Sequence, residues 1–280
     1  MVISNQTADA LQLVTAAGKV STLVANVPSP GGIRFHGGYM YFNTNNSLEA
    51  GAFQLTNGTI ERMNLKTGRV TTWASGLSMP NGLGFLPNGN AVVTRDVPGN
   101  GWGLTEIPAN HPAKIVRDWV TTQDSNGVAV DPSGKWLYFD QTFDSSDIER
   151  ASIADPRDVQ VVGSLGLLLV LDDLTIANNG VLYIASNRPD PFGEVIEFNP
   201  YTKAQCVIAS GLGDPAAVKF GCGPGWSANS LYVSAWNGDI YKLTPPAGEP
   251  AVHGVCDATA GQRAAPPKKH KKRKSKARSA

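Results

Sequence analysis

A six-bladed all-β propeller is the fold class that the sequence predicts, and three observations predict it. A strand–turn–strand phrase recurs five times, its copies keep a nearly constant spacing, and most are followed by a second pair of alternating strands. A β-sandwich would also be all-β, but nothing in that architecture makes one phrase recur at a fixed interval.

The copies are Gly31–Asn43 (GGIRFHGGYMYFN), Asn81–Asp96 (NGLGFLPNGNAVVTRD), Asp124–Asp140 (DSNGVAVDPSGKWLYFD), Asp172–Ser186 (DDLTIANNGVLYIAS) and Pro215–Ala235. Their leading residues Gly31, Asn81, Asn126, Asp172 and Pro215 are separated by 50, 45, 46 and 43 positions. In three copies the apolar residue opening the first strand lies six positions before the turn glycine: Leu83 and Gly89, Val128 and Gly134, Leu174 and Gly180. Each phrase reads as the inner strand pair of a blade.

Outer pairs follow the same order. Gly58–Gly76 and Gly193–Gly211 alternate apolar and polar residues on both sides of a Thr- or Pro-containing turn with Lys. Gly103–Val120 is the least regular, and the last blade is expected to end near Val255. Residues 8–26 form one more outer pair, around Ala17, Gly18 and Lys19. Five complete units plus that pair leave the first blade without its inner strands. The expectation is therefore a chain that starts about half a blade late, its missing pair upstream of Met1. Val159–Leu171 is read as two buried strands around a turn.

The totals agree. At 280 residues with 41% aliphatic and aromatic content, 30 Gly and 19 Pro, the chain can bury a core and make many turns. No apolar run reaches the roughly 18–20 residues of a membrane helix. No signal peptide is recognisable, so export or envelope location is expected only if one precedes Met1. The net charge of +1 conceals nine Lys/Arg over residues 263–280 and fifteen Lys/Arg against twenty-three Asp/Glu before them, a net of −8. Residues 1–256 are read as the propeller and 257–280 as a disordered basic tail. That tail lacks aromatic residues for base stacking, so contact with anionic surfaces by charge is expected rather than specific nucleic-acid binding. Cys206, Cys222 and Cys256 match no metal or redox motif, leaving either one disulfide with a spare thiol or three thiols.

Candidate chemistry sits where inner strands open onto the central channel. Asn81, Asn126 and Asp172 hold that position in three consecutive blades. Two amide oxygens and a carboxylate make a hard-oxygen set suited to a divalent cation, calcium first, with magnesium or zinc as alternatives. The competing explanation is that Asn-Gly and Asp are simply good turn residues.

With the Pro-x-Gly turns and the LYIA-like second strands, this pattern resembles the regucalcin, gluconolactonase and lactonase family. The resemblance implies a six-bladed propeller with one axial cation held by a Glu, two Asn and an Asp. By place in the repeat, the family's two Asn fall on Asn81 and Asn126. Its Asp, which assists the metal in activating water, falls on Asp172. Its Glu belongs to the inner strand of the first blade, the segment already expected to be absent. Met79 occupies the place where some members carry a substrate-binding Arg, so a sugar-acid lactone is not implied.

Other constellations carry less. No Ser lies in a GxSxG elbow, and His36 and His111 read as loop residues. Trp102, Trp136, Trp226 and Trp236 suit blade packing, and Gly221–Trp226 (GCGPGW) is a loop without the helix of a phosphate-binding motif. The expected function is metal-dependent hydrolysis of a small lactone or related ester by a monomer, with Asp172 as general base. The alternative is a non-catalytic propeller binding a ligand, polymer or protein at the channel mouth. A streptogramin-lyase-like or strictosidine-synthase-like enzyme would need channel His residues or a pocket Glu that the motifs do not place.

Overall fold

Each copy of the phrase folds as an antiparallel hairpin. The turn glycines Gly89, Gly134 and Gly180 have φ of +84°, +70° and +84°, a region closed to most side chains. The computed structural model describes residues 1–97, 101–166, 169–246 and 252–254.

Six antiparallel sheets follow one another along the chain. The first contains β1 (Val2–Asn5), β2 (Ala10–Val14) and β3 (Val20–Ala25). The second contains β4 (Ile33–His36), β5 (Tyr39–Thr44), β6 (Gly58–Asn64) and β7 (Val70–Leu77). The third contains β8 (Leu83–Phe85), β9 (Ala91–Val93), β10 (Leu104–Ile107) and β11 (Val116–Val120). The fourth contains β12 (Ser125–Val130), β13 (Trp136–Gln141), β14 (Asp147–Ser152) and β15 (Val159–Ser164). The fifth contains β16 (Leu171–Ile176), β17 (Leu182–Ser186), β18 (Gly193–Phe198) and β19 (Gln205–Leu212). The sixth contains β20 (Pro215–Phe220), β21 (Leu231–Ala235) and β22 (Ile240–Leu243). A short helix, α1 (Leu48–Ala52), starts at Ser47, whose side chain accepts from the Ala50 N–H.

The second strand of each blade explains the radial stacking. Successive residues of a strand point to opposite faces. On β5, Met40 and Phe42 pack toward the first sheet, while Tyr41 packs toward the third. On β13, Leu137 and Phe139 join one cluster and Tyr138 the next. On β17, Leu182 and Ile184 face the fourth sheet and Tyr183 and Ala185 the sixth. Both faces are therefore apolar, which is why YMYF, WLYF and LYIA show no polar alternation. Among the described residues five such clusters form, one for each consecutive pair of sheets. The loop between β20 and β21 meets the turn between β2 and β3 where Gly225 lies against the Ala16 side chain.

Two expectations need correction. The first blade does not lack both inner strands, because β1 pairs with β2 from Val2↔Leu13 to Asn5↔Ala10. Its four residues alternate without a strong apolar pattern, so pairing rather than composition makes them a strand. Val159–Leu171 is not two buried strands: its first half is the outermost strand β15, with Val161 60% exposed, and only Leu171 begins the next blade. Leu165, Gly166, Leu169 and Val170 lie between those two strands and belong to neither. Cys222 is disulfide-bonded and Cys206 is an exposed free thiol, which selects the one-disulfide alternative. The basic tail expected over 257–280 lies outside the described residues, and no helix among them is long and apolar enough to cross a membrane.

Candidate functional site

Inner strands approach the axis so closely that the backbone itself constrains the sequence. A Cβ at Gly82 would collide with the Asn126 carbonyl, and one at Gly127 with the Leu174 amide and the Asp173 backbone. Neither glycine is among those with positive φ. The glycine of each Asn-Gly pair is thus required by the neighbouring blade rather than by a turn.

The asparagines and the aspartate are left to face the channel. Register shifts between Ser125 and Val128 on β12, and between Leu171 and Leu174 on β16, bracket Asn126 and Asp172. Such bulges release a residue from the ladder and re-aim its side chain. Asn81 precedes β8, its carbonyl held by the Gly32 N–H at 2.7 Å and by Asn43 Nδ2 at 2.8 Å. Thr94 Oγ1 accepts from the Gly82 N–H at 2.7 Å and donates to the Asn126 carbonyl, linking the third and fourth blades. All three expected residues, Asn81, Asn126 and Asp172, line one channel cavity of about 1340 Å³.

Four further residues at this mouth were not foreseen. Asp96, Asn46, Asn187 and Trp236 line the same cavity. Asn187 Nδ2 donates to Asp172 Oδ2 at 2.8 Å. Trp236 is 53% exposed at the mouth, where its indole also favours the Asp172 carboxylate, so it is no blade-packing residue. The signal was present in the repeat. In an antiparallel hairpin the residue that ends the second strand lies beside the one that begins the first. The polar residues just past β9 and β17 therefore return to the mouth, and Asp96 and Asn187 are those residues.

The electrostatics of the mouth are unbalanced. Burial lifts the Asp172 carboxyl to about 7, with Asn187 opposing and the charge of Asp96 adding to the rise. Burial lifts Asp96 to about 6, offset in part by the Asn81 amide. Asp96 Oδ1 and Asn46 Oδ1 are buried and have no hydrogen-bond partner. Leaving such an oxygen unmet costs about 1–3 kcal/mol. The donor set consists of oxygens from amides and carboxylates, so it fits a hard divalent cation, and Asn81, Asn126 and Asp172 are the residues that would hold it. Among the described residues no three His, Cys, Asp or Glu side chains gather as a metal group, so amide oxygens would be essential.

Further along the inner strands Asp173 has a lysine partner. Lys219 Nζ contacts Asp173 Oδ2 at 2.8 Å and donates to the Leu174 carbonyl at 2.7 Å. Arg34 Nη2 reaches across to the Val128 carbonyl at 3.3 Å. Val128 and Leu174 lie two residues beyond Asn126 and Asp172, about 7 Å along a strand. Asp140 holds the Gly127 N–H at 2.7 Å, and burial raises its carboxyl well above the usual range.

No protein-family model and no curated protein matches the chain. Solved structures do. A gluconolactonase from Xanthomonas campestris superposes with a TM-score of 0.68 at 16% identity, covering 88% of this chain and 82% of that one. Regucalcin from Agrobacterium tumefaciens, described as a calcium-binding protein, gives 0.63 at 16% identity, covering 90% and 86%. Virginiamycin B lyase from Staphylococcus aureus gives 0.57 at 17% identity, covering 91% and 84%. At these identities the likeness is one of architecture, and the chain is a six-bladed propeller of gluconolactonase- and regucalcin-like form.

Proposed function

We propose that the chain is a metal-dependent hydrolase of a small lactone or related ester, acting at the channel mouth through Asn81, Asn126 and Asp172. The observation that carries this reading is the placement of Asp172: a carboxylate in the channel that meets only neutral donors, on the same cavity as Asn81, Asn126 and Asp96. A carboxylate so placed can accept a proton from water. A bound divalent cation would polarise the substrate carbonyl and acidify water.

The protein's own part is positional. Asn187 fixes the Asp172 carboxylate in one orientation. Asp172 takes the proton of the water whose oxygen attacks the lactone carbonyl carbon. The ring carbon–oxygen bond then breaks, and the leaving alkoxide regains a proton to give the hydroxy acid. Asn81 and Asn126, each fixed through its backbone to a neighbouring blade, keep the mouth from rearranging during this step.

The test is turnover of a panel of γ- and δ-lactones and aryl esters by the purified protein after chelation, then with calcium, magnesium or zinc restored. Turnover that needs the cation and disappears in Asp172→Asn supports the reading. Cation binding without turnover across the panel would replace it with a non-catalytic binding propeller.

A further inference from the structure

We infer that Asp96 is a direct ligand of the cation at this mouth, making the site a pair of carboxylates, Asp96 and Asp172, with the amides of Asn81 and Asn126. This rests on the cation reading above and extends it to a residue outside the resemblance. Asp96 is 9% exposed, lines the channel cavity, and keeps Oδ1 without a hydrogen-bond partner. It belongs to the blade that supplies Asn81, just past the end of β9.

The simpler explanation is that Asp96 is a counterion for Arg95. The bonds of Arg95 argue otherwise. Its guanidinium donates to the Gly51 carbonyl at 2.6 Å and to the Val97 carbonyl, so those donors serve backbone rather than the Asp96 carboxylate. A second explanation is that Asp96 only orients the Asn81 amide. That would occupy one carboxylate oxygen and leave the buried Oδ1 still unmet. Direct ligation accounts for both oxygens. A second carboxylate beside Asp172 also offsets the charge of a divalent cation held in the channel.

The experiment uses the full chain after chelation, titrated with calcium by calorimetry and separately loaded with europium(III), whose luminescence lifetimes in H2O and D2O count coordinated waters. Asp96→Ala should weaken calcium binding roughly 10–100-fold and raise the europium water count by about one. Asp96→Ser is made in parallel, with circular dichroism and thermal unfolding as checks, so that a folding failure in one variant does not decide the matter. Unchanged calcium affinity and water count in a folded variant overturn the inference while leaving the cation site standing. Weaker binding with an unchanged water count also overturns it, in favour of a positioning role. Wild-type protein that binds neither ion removes both the inference and the cation reading.

Discussion

Asp172 and Asp173 are neighbours on one strand, yet the fold treats them in opposite ways. Asp173 is met by a fixed cation, with Lys219 Nζ at 2.8–2.9 Å from its two oxygens. Asp172 is met by the Asn187 amide and lies near another carboxylate. Alternation along the strand puts one at the mouth and the other against the next blade. The difference teaches that charge in this channel is not balanced by default. Where the protein needs a structural link it supplies its own lysine. At the mouth it gathers oxygens, and on the proposed reading the positive partner comes from outside.

The sharpest way to break this comparison is to neutralise each aspartate in turn. Asp172→Asn should lower calcium affinity on the order of 100-fold and remove lactone turnover. Asp173→Asn should leave calcium binding within a few-fold of wild type. Calorimetric titration of both variants decides it, and equal losses would show that the two carboxylates are one cluster.

Lys219→Met tests the other half. With its partner removed, Asp173 becomes a half-buried unpaired charge, and the fold should lose about 1–2 kcal/mol, discounted because the lysine is 36% exposed. For a chain of this size that lowers Tm by roughly 2–8 °C. Calcium affinity should be nearly unchanged.

Gly127 separates the two regions, and a substitution there should disturb both. Gly127→Ala pushes a methyl group into the Leu174 amide and the Asp173 backbone, whereas a Cβ at Gly84 makes ordinary contact with Val128 at 3.5 Å. The first should destabilise by about 1–3 kcal/mol and the second by less than about 1. Thermal unfolding of the two variants measures the contrast.

How much of this could be read beforehand follows the same physics. The six blades and their hairpins were legible because turn glycines and apolar strands repeat in phase. Asn81, Asn126 and Asp172 were legible because they lead each repeat. Asp96 and Asn187 were not singled out, since a residue that follows a strand acquires meaning only once the hairpin folds it back beside the first. The strand β1 was missed because four weakly patterned residues become a strand by pairing with β2. Trp236 looked like packing because composition cannot tell a tryptophan between blades from one at a mouth.

A further expected effect is on stability against pH in the absence of metal. Asp172 and Asp96 rise from an ordinary 3.8 to about 7 and about 6 in the folded chain. Between pH 4 and 7 the unfolded chain therefore loses these protons first, so stability present below that window declines as pH rises through it. Lys219 is lowered from 10.5 to about 8, chiefly by burial, so the unfolded chain holds its proton longer and stability rises again from pH 8 upward. A minimum near pH 7–8 is expected from these three groups. Asp172→Asn should make the falling limb between pH 6 and 7 shallower, which a series of thermal melts in chelator would reveal.

The most direct measurement is thermal unfolding of wild type and Asp172→Asn at pH 7.5, each with chelator and with millimolar calcium. A cation held at the mouth predicts that calcium raises the wild-type Tm by several degrees and leaves Asp172→Asn where it was. A wild-type Tm indifferent to calcium, or an equal rise in both proteins, would contradict a cation site built on Asp172.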